Sequence, residues 1–234
     1  LAGDQTWIAP FALALLSVVG LITSLSIPPV LPARATGGIA ATVRGAWAAI
    51  RTEPMLRMAV PMESCFWTIA SLFMQNVMVY AKAVLLLSDA MSGLPLTLLS
   101  IGIGIGAILV GKISRNRVEY GLIPLGAIGV FLALLLLGLI APPLSGTFLL
   151  LGVLGISSAF IFVSLNAILQ WKSPPDRRGA VISFSNTCVF TGILLGSLAG
   201  GSLANMGLST TGIFLATAGM TMAGMLWALW FLPD

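Results

Sequence analysis

The sequence predicts an all-α membrane protein with seven transmembrane helices, and three observations carry that prediction. The first is composition: 58% of the residues are hydrophobic and 8% are charged, whereas an ordinary soluble domain carries about 25% charged residues. Mean hydropathy is +1.07. The second is run length. A hydrocarbon core ~30 Å thick demands about 20 apolar residues of a helix rising 1.5 Å per residue, and the chain contains several such runs. The third is charge, which falls almost wholly in alternate connections between the runs.

Spans are expected over residues 7–28, 55–80, 91–113, 119–141, 145–171, 177–204 and 209–232. Backbone polar groups cannot stay unpaired in lipid, so these segments are helices. A barrel would need short stretches of alternating polarity, and these are apolar all round. Between spans one and two, the cluster IPPVLPA ends a helix, and IAATVRGAWAAIR then places Ile39, Val43, Trp47 and Ile50 on one helical face bordered by Arg44 and Arg51. That pattern suits either a helix lying in the membrane interface or an ordinary linker helix. The domains implied are a first helix over 1–30, a connection over 31–54 and a six-helix unit over 55–234.

The connections orient the spans. Arg34, Arg44, Arg51 and Arg57 precede span two; Lys112, Arg115 and Arg117 follow span three; Lys172, Arg177 and Arg178 follow span five. Only Lys82 falls in the other set, so the basic loops are expected on the cytoplasmic side, with the N-terminus outside and Asp234 inside.

Several function classes are disfavoured. With no histidine the chain cannot build a Ser-His-Asp triad or a His-ligated zinc site. Cys65 and Cys188 both fall in apolar stretches and read as small buried residues, so no metal or cofactor is expected. The chain opens at Leu1 without a charged region or cleavage site ahead of its first apolar run, and is expected to be a fragment without a signal peptide.

A few residues stand out from the apolar background. GIGIG, with Gly102, Gly104 and Gly106, lies inside a span and lacks the strand and acid of a dinucleotide fingerprint. Its spacing, like that of Gly192, Gly196 and Gly200, clears a groove for a neighbouring helix. Glu63 is the acid set well within a span, sharing a face with Trp67, Ala70, Met74 and Met78 and bordered by Ser71. It either serves function, meeting a proton or a cationic headgroup, or pairs with Arg57 near the span's end. Asn166 and Gln170, one turn apart, and Ser183, Ser185, Asn186, Thr187 and Thr191 should look into the bundle, to bind substrate or helix to helix. The turns RNRVEYG and PPDRRG set acids beside bases, which suits a conformational lock or simple orientation signals.

The stretches FWTIA, VYAKAVL, LLSIGIGIGAILVGKISRNRVEYGLIPLGAIG and NAILQWKSPPDRRGAVISFSN together resemble the lysophospholipid transporter branch of the major facilitator superfamily, in particular the transporter domain fused to acyltransferase and acyl-carrier-protein synthetase domains. The likeness runs from about Glu63 to Asn186 and more weakly beyond. It implies two six-helix halves rocking about a midplane site, with this chain supplying the C-terminal half plus one preceding helix. It further implies a flippase, not an enzyme, moving lysophospholipid across the bacterial inner membrane for reacylation. Its partners would be a missing N-terminal half and a fused or associated acyltransferase, with no nucleic acid. The family's serine followed by three aromatics appears as Ser64, Cys65, Phe66 and Trp67, with Cys65 departing from the pattern. Its NA-Q-SP-RG segment appears as Asn166, Ala167, Gln170, Ser173, Pro174, Arg177 or Arg178, and Gly179, and its asparagine pair as Ser185 and Asn186. The substrate path would then comprise Glu63, Ser64, Phe66, Trp67, Ser71, Met74, Met78, Asn166, Gln170 and Asn186. The cytoplasmic gate would comprise Lys112, Arg115, Arg117, Glu119, Asp176, Arg177 and Arg178.

Overall fold

The computed structural model describes residues 7–27, 38–115 and 119–229. These residues are helical, with no strand among them, and divide into two units at Thr36 and Gly37. The first unit contributes α1 (Ile8–Leu25), an apolar helix whose Ser17 and Thr23 hydroxyls donate to the carbonyls of Leu13 and Val19 at 2.8 and 3.0 Å. That back-bonding is how a hydroxyl stays satisfied without water.

The second unit holds α2 (Ile39–Thr52), α3 (Pro54–Ala83), α4 (Leu94–Ser114), α5 (Leu122–Ile140), α6 (Leu144–Lys172), α7 (Arg178–Asn205) and α8 (Thr210–Leu229). Boundaries follow local chemistry. Prolines open α3 and α4, where their missing N–H is harmless. Arg115 and Ala141 close α4 and α5 in left-handed conformations that end each helix. The expected spans thus match α1 and α3 to α8. The interval 31–54, expected as a connection, contributes α2, which packs into the second unit against α3 and α7.

Among the described residues, α4 to α8 are long and apolar enough to cross a membrane. At 30 residues α3 is the longest helix, about 45 Å, but it carries Arg57, Glu63, Gln75, Asn76 and Lys82 and so is less apolar than its neighbours. Position explains the difference. Glu63, Ser71 and Asn76 are buried, because α3 packs against α7, α8, α6, α2 and α4 and so shows little of itself to lipid.

The order of contacts makes α3 and α7 parallel, since Gly192, Gly196 and Gly200 meet Ser64, Thr68 and Gln75 in turn, and likewise α4 and α6, since Gly102 and Gly106 meet Gly152 and Ile156 in turn. Both parallel seams close on glycine. A methyl group on Gly102 of α4 would stand 2.5 Å from the Gly152 carbonyl oxygen of α6, and one on Gly192 of α7 would stand 2.5 Å from the Ser64 carbonyl oxygen of α3. Only glycine permits such approach, as the GIGIG spacing predicted. The core runs between them, from Leu56, Met58, Leu72 and Tyr80 of α3 to Leu134, Leu151, Leu165, Ile168 and Phe214.

Candidate functional site

Glu63 is 4% exposed and joins three helices. Asn166 Nδ2 of α6 donates to its Oε1 at 3.0 Å, and Ser185 Oγ of α7 donates to its Oε2 at 2.6 Å. Asn166 also donates to the Phe162 carbonyl at 3.1 Å, which fixes the amide against its own helix. The alternative of a pair with Arg57 is not what the fold builds: among the described residues no cation reaches ion-pair distance of Glu63, and Arg57 is exposed. A buried carboxylate is costly unless hydrogen-bonded, and here each oxygen has one donor. Asn166 Nδ2 can only donate, whereas the Ser185 hydroxyl can also accept.

One turn along α3 from Glu63 is Trp67, and one turn along α6 from Asn166 is Phe162. These two rings meet edge to face with centroids 5.6 Å apart, and Phe66 completes the cluster at 5.7 Å from Trp67 and 6.2 Å from Phe162. Such geometry suits the ring quadrupoles. All three rings line a half-open cavity of about 410 Å³ between α3, α4, α5, α6 and α8. Its walls include Met62, Ile103, Leu134, Leu154 and Met225, and no lining residue is charged. The polar groups at its edge are small, and Thr221 spends its hydroxyl on the Thr217 carbonyl at 2.9 Å. A space of this kind takes the apolar part of a ligand.

The other expected path residues divide. Met74 lines the cavity with Phe66 and Trp67, whereas Met78, half-buried, lies outside the lining. Ser64 Oγ donates to the Cys188 carbonyl of α7 at 2.7 Å, and Ser71 Oγ donates to Thr68 O at 3.0 Å while facing Gly196. Both serve the α3–α7 seam. Gln170 and Asn186 are exposed and stand apart from the Glu63 node.

The expected gate residues gather at one end of the bundle. Lys112, Arg115, Glu119 and Arg178 are exposed there, while Arg117 lies outside the described residues. Asp176 and Arg177 pair at 3.4 Å, but as neighbours within one turn they bridge no helices.

Sequence reasoning missed Phe162 and the cavity walls of α4, α5 and α8. Their only signal is an apolar side chain, shared with every lipid-facing position.

A family model described as Major Facilitator Superfamily matches residues 3–191. No curated protein and no solved structure matches the chain.

Proposed function

Because the chain belongs to the Major Facilitator Superfamily, a family of membrane transporters, we propose that it is the C-terminal part of a flippase moving lysophospholipid across a bacterial inner membrane by alternating access, for reacylation. On this reading α1 is helix six of the template and α3 to α8 are helices seven to twelve. The observation that carries the proposal is adjacency: a charge-free cavity of about 410 Å³ lies one helical turn from a buried carboxylate. A single-chain amphiphile needs both, an apolar volume for its acyl chain and a polar group for its headgroup. Glu63 would meet an ammonium, with the faces of Phe66, Trp67 and Phe162 attracting the same cation. The basic turns around Lys112, Arg115 and Arg177 would gate the cytoplasmic end.

The test is uptake of fluorescent lysophosphatidylethanolamine into proteoliposomes, with the chain reconstituted alone and beside a candidate N-terminal half. Transport that requires both pieces supports the reading. In the complete transporter Glu63→Gln keeps normal insertion and lowers uptake about tenfold or more, the cost of a charge-assisted hydrogen bond. Unchanged uptake would remove Glu63 from the mechanism.

One observation favours a second reading, a proton-driven drug or metabolite exporter. Glu63 has hydroxyl and amide partners and no counter-cation among the described residues, and the Ser185 hydroxyl can accept as well as donate. Uptake that follows an imposed pH gradient and ignores lysophospholipid would select that reading.

A further inference from the structure

Helix α2 takes no part in the Glu63 node or the cavity, and its surface is ordered in a way that packing alone leaves unexplained. One arc of the helix, Ala46, Ala49 and Ile50, is buried in the unit where α2 meets α3 and α7. The adjoining arc carries Ile39, Val43 and Trp47, exposed by 86%, 45% and 49%. Beyond these come Arg44 and Arg51, both exposed. Going round the helix the order is therefore bundle, apolar stripe, arginines.

Trp47 is fixed within that order. Its ring lies 6.0 Å from that of Phe184 on α7, and the Arg51 guanidinium sits 5.9 Å from its centroid. An indole braced by the bundle and rimmed by a guanidinium is the arrangement of a residue at the headgroup level, where an amphipathic ring keeps one edge apolar and the other wet. The surroundings share the charge. α2 runs into α3 through Glu53 and meets α7 at Phe184, at the end of the bundle where every described lysine and arginine except Lys82 is found, against Glu53, Glu119 and Asp176.

We propose that α2 is a membrane-surface helix that binds anionic lipid, with Ile39, Val43 and Trp47 in the acyl boundary and Arg44 and Arg51 on the lipid phosphates. The apolar stripe lies beside a bundle that is itself in the bilayer, so lipid is the medium at hand to cover it. The arginines add the chemical preference, since a guanidinium fork matches phosphate oxygens bidentately. Charge complementarity makes the occupant an anionic lipid: a net basic rim is attracted to a negative leaflet, whereas a zwitterionic one offers the phosphates without the net charge.

The test uses the full chain in nanodiscs of phosphatidylcholine with and without phosphatidylglycerol, carrying a coumarin amino acid in place of Val43. Bromine placed in the lipid acyl chains is expected to quench the probe, and aqueous iodide is expected not to. In parallel, the phosphatidylglycerol retained on the detergent-purified protein is expected to fall about fivefold for Arg44→Gln and again for Arg51→Gln. Lys82→Gln, at the opposite end, leaves it unchanged. Iodide quenching would show the stripe facing water, and protection from both quenchers would show it covered by protein, from a second copy or another polypeptide. Either result overturns the proposal, as does lipid retention indifferent to both arginines.

Discussion

The two parallel seams of the bundle are built from the same residue and do different things. Between α4 and α6, Gly102 and Gly106 meet Gly152, Gly155, Ile156 and Ala159, and no side-chain hydrogen bond crosses among the described residues. Between α3 and α7, Gly192 and Gly196 meet Ser64, Thr68 and Ser71, Ser64 donates across to Cys188, and the same two helices share the Glu63–Ser185 bond. A dry seam is held by van der Waals contact and has one good arrangement. A hydroxyl-lined seam has donors and acceptors that can exchange partners with each other, with water or with a ligand. The Glu63 node lies on the hydroxyl-lined seam.

The dry seam should break first and hardest. Gly102→Leu drives a side chain into the α6 backbone and is expected to cost about 1–3 kcal/mol or more, seen as a lowered melting temperature in detergent. Gly104→Leu, two residues away, points into open space and is expected to be neutral. Equal effects would mean that the approach of α4 to α6 is not what the glycines serve.

On the hydroxyl-lined seam the ranking should follow charge. Ser185→Ala removes a donor from a buried carboxylate and is expected to cost about 1.5–3 kcal/mol, against about 1 kcal/mol for Ser64→Ala, which frees a neutral carbonyl. Thermal melts of the two variants side by side measure the difference, and a reversed order would shift the seam's organising contact from Glu63 to Ser64.

The far part of α3 sharpens the contrast. Tyr80 is fully buried against Phe214, its ring centroid 5.2 Å away, and among the described residues its hydroxyl has no hydrogen-bond partner. Tyr80→Phe is therefore expected to change stability by less than about 1 kcal/mol, and a larger loss would reveal a bound water.

The smallest effect belongs to the exposed Lys82–Asp89 pair at 2.7 Å. The hydrogen bond and charge of Lys82 hold the Asp89 carboxyl below its usual range. Its folded-state affinity for protons is lowered, so its contribution is present above the ordinary aspartate value and is lost as pH falls through the folded one. Asp89→Asn should flatten that slight acid dependence in a pH series of melts, and added salt should mask it.

Much of this architecture was legible beforehand. Helix number and approximate bounds follow from apolar run length, because a bilayer leaves helices as the available solution for such runs. Gly102 and Gly192 could be assigned to packing because their four-residue spacing has no other use within a span. Glu63 stood out because a carboxylate in an apolar run must be satisfied somehow. Its partners were only half visible: Asn166 and Ser185 were among several polar residues on their helices, and nothing in the order of residues separates them from Gln170 and Asn186, which the fold leaves exposed. On α2 the periodicity placed Ile50 with Ile39, Val43 and Trp47, and packing then buried Ile50 and left the other three outward.

What the sequence by itself determined is the medium, the secondary structure and the oddity of Glu63, since those depend on composition and spacing along one chain. What only the tertiary structure decided is which helices are neighbours, and therefore that Glu63 meets Asn166 and Ser185, that Phe162 closes an aromatic cluster, and that five helices line a cavity. In an apolar chain nearly every side chain is a candidate for the interior, so hydropathy cannot sort lipid-facing positions from core. That sorting is done by close packing between segments far apart in sequence.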